Sequence, residues 1–320
     1  MANINATGTI WNCPNYTGEL YLIGANQTPF LNMIGGLQGG GVKTVSSFQH
    51  SLGQPWALEA AAQTEVTETA SLTAPNPWTY VRGQDVNTVS IFHRAVTVSY
   101  AKQSTAGTIK ADSTTGLADI NENQPIQNEK DFQIAAHMRQ IAVNVDYTFL
   151  NGTYQQATSA AVAAKTRGII TACVTNTVAA AAAALTRTMV NSLIKTMAQN
   201  GAEFISPVIF ANAFQKQKLS EIYGFAPADR NLGGFNISEI ETDFAKLGIV
   251  WAPNVPAATL LIADLAVCSP VFLPVPQKGV LFYEELSKTG AAEKGHIYGQ
   301  IGLDYGPEEY HGTITNLATS

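Results

Sequence analysis

Charge is scarce in this sequence. Asp, Glu, Lys and Arg make up 13% of 320 residues, against 46% hydrophobic residues. A surface with so few ions is either neutral and polar, built from the many Thr, Asn and Gln, or buried against other copies of the chain. The second reading is preferred. The balance is acidic, with 18 basic residues against 24 acidic and a formal net charge of −6. That excludes a tight nucleic-acid footprint, which needs Lys and Arg gathered on one face. Cysteine is nearly absent: Cys13, Cys173 and Cys268 are odd in number and far apart. They read as small buried residues in a reducing cytosol and exclude a disulfide or zinc framework. The most apolar stretch, residues 260–273, is interrupted by Asp264 and Pro270 and followed by Pro274. It is too short and too broken to span a bilayer. No basic segment followed by an apolar run opens the sequence, so no signal peptide is expected. The chain is read as soluble and as staying in the compartment where it is made.

Catalytic signatures are missing as well. The histidines stand at positions 50, 93, 137, 296 and 311 without a metal-binding spacing such as H-E-x-x-H. His137 lies between the apolar and polar faces of a helix, and a structural or exposed role is assigned to it. G-x-S-x-G, G-x-G-x-x-G and C-x-x-C do not occur. Gly39-Gly40-Gly41-Val42-Lys43-Thr44 fails as a phosphate loop, because its Lys does not directly follow the last Gly and no strand-then-helix context surrounds it. Glu284-Glu285 and Glu308-Glu309 are adjacent carboxylates. On a strand or turn they point apart, which suits a solvated edge or a subunit contact better than acid/base chemistry. Asp243 and Asp264 close strands and are expected to stabilise turns. No catalytic, cofactor-binding or metal residue is assigned, and no cofactor is expected.

What is present is a long helix. Within residues 125–152, Ile134, Met138, Ile141, Val145, Thr148 and Phe149 recur at the three-and-four spacing of one helix face. Asn123 is a capping candidate, Pro125 suits a first turn, and Gly152 reads as a left-handed stop. Such a helix spans roughly 40 Å. Its other face is read as mixed, with Arg139, Asn144 and Asp146 among Ala135, Ala136 and Ala142. It is expected to act as a beam along which sheets pack.

Around it the chain is long enough for two lobes. Residues 1–41 have isolated apolar anchors (Ile10, Trp11, Tyr21, Leu22, Phe30, Leu31, Ile34) and read as an arm lying on something else, with one or two helical turns begun at Thr28-Pro29. Strands are predicted at 42–49 and within 80–100. Between them, residues 51–79 lack a core pattern, and they either have no fold of their own or form an extended hairpin whose partners lie on another chain. Residues 101–124 are polar and turn-rich, and 153–166 are low-complexity. A second, α/β lobe begins at Arg167-Gly168. It contains an alanine run at 179–184 and a helix capped by Thr186 or Thr188, with Met189, Leu193 and Met197 on one face and a stop at Gly201. The lobe continues with strands at 206–210, 236–243, 248–252 and 260–264 and a helix at 212–223. Strands at 267–273, 279–286, 296–304 and 310–317 then return to the first lobe, the middle pair forming a hairpin through 288–295. The second lobe is thus an insertion.

In this order the elements resemble the major capsid protein of tailed double-stranded-DNA phages, with its Hong Kong ninety-seven type of shell fold, closest to a short-tailed phage subgroup. The resemblance covers nearly the whole chain. It rests on the order and spacing of T-P-F-L-N-M-I (28–34), V-N-T-V-S-I-F-H-R-A-V-T-V-S (86–99), E-K-D-F-Q-I-A-A-H-M-R-Q-I-A-V-N-V-D-Y-T-F-L-N-G (129–152), R-G-I-I (167–170), E-T-D-F (241–244) and G-Q-I-G-L-D-Y-G-P-E-E-Y-H-G-T-I-T-N-L (299–317). It implies an α+β fold with an N-terminal arm (1–41), an extended loop over a neighbouring subunit (42–94), a peripheral domain with the spine helix (95–165), an axial domain (166–265) and returning peripheral strands (266–320). It further implies a structural protein, not an enzyme, that assembles as hexamers and pentamers into an icosahedral shell in the virion. The expected partners are scaffold, portal and decoration proteins, with double-stranded DNA enclosed without sequence-specific contacts. The alternatives are an encapsulin-like compartment shell and an α/β enzyme with an inserted domain.

Overall fold

The computed structural model describes residues 22, 27–37, 42–53, 55–59, 61–63, 65–77, 79–102, 129–224 and 239–319. Most of the expected arm, Cys13, the glycine run at 39–41, the polar segment 103–124, the cap at Asn123 and Pro125, and residues 236–238 of one expected strand lie outside them. The helices are α1 (Pro29–Met33), α2 (Glu68–Ser71), α3 (Glu129–Asn151), α4 (Ile169–Ala172), α5 (Arg187–Gln199) and α6 (Ala213–Tyr223). The strands are β1 (Lys43–Thr44), β2 (Gln49–Gly53), β3 (Asp85–Thr88), β4 (Ser90–Ser99), β5 (Thr177–Ala179), β6 (Pro207–Ala211) and β7 (Glu239–Glu241). After these come β8 (Lys246–Trp251), β9 (Leu260–Asp264), β10 (Ser269–Phe272), β11 (Leu281–Leu286), β12 (Ala292–Asp304) and β13 (Gly312–Thr315).

The expected beam is α3. Ile141, Val145, Phe149 and Leu150 are buried along it, and Ile134 and Met138 pack half-buried against the same core. Gly152 ends it, but for a reason other than the expected left-handed turn, since its φ is not positive. A Cβ there would lie 2.3 Å from the Thr166 carbonyl oxygen, and one on Gly168 would lie 2.5 Å from the Gly152 nitrogen. Two backbones touch at this point, joined by the Gly168 N–H donating to the Gly152 carbonyl at 2.8 Å. Gly201 does stop α5 in the left-handed region, at φ 92°. Thr186 is the cap of that helix, its side chain accepting from the Met189 N–H at 3.3 Å. The alanine run forms no helix: Ala181 and Ala182 turn the chain at φ 50° and 63°.

A five-stranded sheet is built around β12. Gly299 pairs with both Leu281 and Phe92, and Ile301 with both Phe272 and Ser90. Thus β11 and β10 lie end to end on one edge of β12, and β4 lies along the other. The hairpin of β11 and β12 forms as predicted, and β1 extends the sheet beside β10. The second sheet has the order β5-β13-β9-β6-β8-β7. Here one expectation is corrected. The last strand does not return to the first lobe, because β13 pairs antiparallel with β9 and parallel with β5 inside the second sheet. Its Ile314 is fully buried among residues of that lobe. Apolar burial there outweighs the sequence proximity of β12.

The two lobes share a wall. All five residues of β6 and all five of β9 are buried. Val208, Phe210, Leu261 and Ala263 face the core that holds α3, whereas Ile209, Ala211, Leu260 and Ile262 face a second core with Val190, Leu193, Ile194 and Met197 of α5. Alternate side chains on one strand serve opposite cores, so neither strand shows a polar face.

At the seam sits His311, fully buried. Its Nδ1 accepts from the Asp264 N–H at 3.2 Å, which leaves Nε2 to donate to the Tyr305 carbonyl at 2.6 Å. The Asp264 carboxylate accepts from the N–H groups of Ile205, Ser206 and Ala266 at 2.7, 2.9 and 3.0 Å, the turn-stabilising role expected of it. Burial holds the His311 imidazole below its ordinary pKa. The unfolded chain therefore takes up the proton first, and stability is lost as pH falls through the unfolded value of about 6.5 toward the depressed folded one. The melting temperature should drop between pH 7.5 and 5.5, with a shallower slope in His311→Gln, as read by differential scanning calorimetry.

Candidate assembly surface

Between β2 and β3 the chain leaves the body. The two strands pair antiparallel, with an irregularity between Ser51 and Gly53. Every described residue from 55 to 85 is exposed. Only slight internal structure holds it: the Gly83 N–H donates to the Pro55 carbonyl at 2.9 Å, Trp56 and Tyr80 meet edge-on at 6.0 Å, and Thr67 caps the single turn of α2. The exposed side chains include Leu58 and Val66, each 69% accessible, and Leu72 and Val81, each 84%. The exposed apolar side chains of this excursion are not covered by its own described chain, and exposed apolar groups of this kind mark interaction surfaces.

The base of the excursion is rigid. The Asn87 side chain is fully buried and donates to the carbonyls of Leu303 and Arg167 at 2.7 and 3.2 Å. Its oxygen accepts from the Arg167 and Thr88 N–H groups at 2.8 and 2.9 Å. Beside it the Thr166 hydroxyl donates to the Thr88 carbonyl at 2.7 Å, and the Thr166 N–H donates to the Ser90 hydroxyl at 2.8 Å. A buried amide with every capacity filled fixes its neighbours in one arrangement. The loop is therefore cantilevered from a fixed root.

A second device ties the arm to the body. Asp146 is fully buried, which corrects its assignment to the outer face of the helix. It lies four residues after Ala142 and three before Phe149, at the edge of the apolar stripe. Its carboxylate accepts from the Leu31 N–H at 2.9 Å and from the Asn254 side-chain amide at 2.7 Å. Asn151 donates in turn to the Asn254 carbonyl at 2.7 Å. Desolvation pushes the Asp146 carboxyl pKa up, opposed by these hydrogen bonds. One carboxylate thus joins α1, α3 and the second lobe, while Phe30 packs edge-on against Phe210 at 5.4 Å. Between α1 and the exposed side of α3 runs a groove of about 640 Å³, bordered by Thr28, Asn32, Ala135 and Arg139.

The other polar residues singled out in the sequence do not converge. Glu284 pairs with Lys278 at 2.6 Å, while Glu285 reaches Lys130. Glu308 accepts from the Val174 and Thr175 N–H groups at 2.7 and 3.2 Å. Asp243 is exposed. His137 is half-buried, and desolvation lowers its pKa. Cys173 and Cys268 are buried free thiols whose pKa burial raises. Among the described residues no three His, Cys, Asp or Glu side chains gather as a metal site, and no helix is long and apolar enough to cross a membrane.

Comparison with known proteins gives a family. The family model described as SU10 major capsid protein matches residues 3–318. No curated protein matches the chain. Among solved structures, a chain of the cyanophage A-1(L) capsid is 11% identical with a TM-score of 0.63, over 96% of each chain. The capsid of a native GTA particle is 13% identical with a TM-score of 0.59, over 98% of each chain. The holo-SrpI encapsulin complex from Synechococcus elongatus PCC 7942 is 10% identical with a TM-score of 0.58, over 96% of this chain and 93% of that one. At such identities these likenesses establish the fold, the Hong Kong ninety-seven type.

Replacing Asp146 with Ala should strand the buried Leu31 N–H and the Asn254 amide, a loss of about 1–3 kcal/mol. Amide hydrogen exchange in residues 29–34 should accelerate more than elsewhere in the chain, with Asp146→Asn intermediate because it keeps one acceptor.

Proposed function

The chain belongs to the SU10 major capsid protein family, and from that premise we propose that its copies associate as hexamers and pentamers in an icosahedral shell enclosing double-stranded DNA. It is a structural component of the virion capsid and not an enzyme. The observation that carries the finer reading is the excursion at 55–85, exposed along its described length and rooted in a satisfied polar network. In this reading 1–41 is the arm and 42–94 the loop that lies on a neighbouring subunit. Residues 95–165 with the returning strands β10, β11 and β12 make the peripheral domain, and 166–265 together with β13 the axial domain. Scaffold, portal and decoration proteins are the proposed partners during assembly in the host cytoplasm. With a net charge of −6 the subunit holds DNA by enclosure, cations offsetting the repulsion, and not by sequence-specific contacts.

Removal of residues 63–74 tests this reading. The described residues among them contribute nothing to either core, so the shortened subunit should keep its circular dichroism spectrum and melting temperature. Co-expressed with its scaffold, the parent should sediment as closed particles, whereas the deletion should give open or heat-fragile assemblies. Deleted subunits forming shells as heat-stable as the parent's would remove the loop's clasping role. Parent particles filled with a folded enzyme would instead support the encapsulin-like reading suggested by the likeness to the holo-SrpI complex.

A further inference from the structure

The groove between α1 and α3 is built on one stripe of α3. Ala135, Arg139 and Ala142 border it and recur at the four-and-three spacing of a single helix side. Four residues further along the stripe, Asp146 accepts from the Leu31 N–H at 2.9 Å. That bond pins the α1 wall, with Thr28, Pro29 and Asn32, to α3. The groove is therefore preformed, and an occupant has no rearrangement to drive. Its volume of about 640 Å³ lies within the roughly 300–1,000 Å³ of pockets that bury a ligand. The cation at its rim is Arg139, exposed and without a carboxylate partner among the described residues.

The excursion has the complementary chemistry. From residue 55 to residue 81 it holds the carboxylates Glu59, Glu65 and Glu68 and neither Lys nor Arg. None of them has an ion-pair partner among the described residues. Beside Glu65 and Glu68 stand Val66, 69% accessible, and Leu72, 84%. An extended chain from residue 55 to residue 68 reaches roughly 40 Å. That is enough to cross α3 of a second subunit, whose 23 residues span roughly 35 Å.

We propose that the groove between α1 and α3 receives residues 65–72 of a second copy's excursion. Val66 and Leu72 lie against Pro29, Ala135 and Ala142, and a carboxylate of Glu65 or Glu68 pairs with Arg139. This docking rests on the shell reading above, and it adds the surface on which the loop lands. Arg suits the role, since its planar fork meets a carboxylate through two parallel hydrogen bonds. Apolar contact around the pair takes it out of water, where a like-charge mismatch is costly. The contact is heterologous: the excursion of one copy meets the groove of the next, the arrangement that closes copies into a ring.

Charge reversal tests the pair. Subunits with Arg139→Glu, or with Glu65→Lys and Glu68→Lys together, should match the unassembled parent in circular dichroism and melting temperature. Co-expressed with scaffold, each should give about tenfold fewer closed particles than the parent, and combining all three substitutions in one chain should restore them. Cross-linking reads the place directly. Cys173 and Cys268 are buried, so Ala135→Cys in a Cys13→Ser background accepts a thiol-anchored photocrosslinker at position 135. Co-assembled with isotope-labelled parent, it should capture labelled peptides from residues 65–72. Capture of any other segment instead would overturn the groove as the landing site. So would reversals that assemble as the parent does, or a combined variant as defective as its components; in each case closed parent particles leave the shell reading standing. A parent that forms no particles would remove the shell reading and the docking with it.

Discussion

Two strands buried on both faces hold this molecule together. In β6 and β9 every residue is buried, and the apolar side chains serve alternately the core around α3 and the core around α5. Full burial of a Val, Leu, Ile or Phe side chain contributes roughly 1.5–3 kcal/mol, and eight of the ten residues in these strands are divided equally between the cores. A change in either strand is consequently felt on both sides. This shared wall makes one mechanical body of what the sequence presents as a lobe inserted into another.

On that body the polar residues act as fasteners. Asn87, Thr166 and Ser90 root the excursion, Asp146 and Asn254 tie down α1, and His311 with Asp264 locks the seam. Each is a short-range, directional bond in a place where desolvation makes a wrong partner costly. The apolar groups meanwhile point outward on the loop. Rigidity at the root and exposure at the tip belong together in the proposed reading, where a loop that lies on another subunit in a fixed place needs a base that does not swing. The low charge of the chain favours the same end, since few ions have to be desolvated when surfaces close.

Much of this was legible in the sequence. The three-and-four spacing from Ile134 to Phe149 announced α3, and β-branched runs announced β3 and β4. Thr186 and Gly201 marked the two ends of α5, and the missing core pattern of 51–79 announced the excursion. What escaped depended on distant partners. Asp146 looked like an ordinary polar residue because Leu31 and Asn254 are 115 and 108 residues away. Gly152 looked like a turn residue because its true neighbour, Gly168, lies across a loop. The placement of β13 was missed because apolar alternation tells that a strand has a buried face and not which sheet receives it.

The position of β13 has a bearing on how the protein is made. It lies between β5 and β9, strands that leave the ribosome long before it does. Until it arrives, the partner edges of both strands stay open and Ile314 is missing from the second core. The second sheet is thus finished by an element translated after every other strand in it, and closing such a long-range pairing is slow. Nascent chains consequently carry an unsealed sheet throughout synthesis, a state in which edge-to-edge association with other chains competes with folding. The last-made strand of the sheet therefore sets the moment at which those edges cease to be open to other chains.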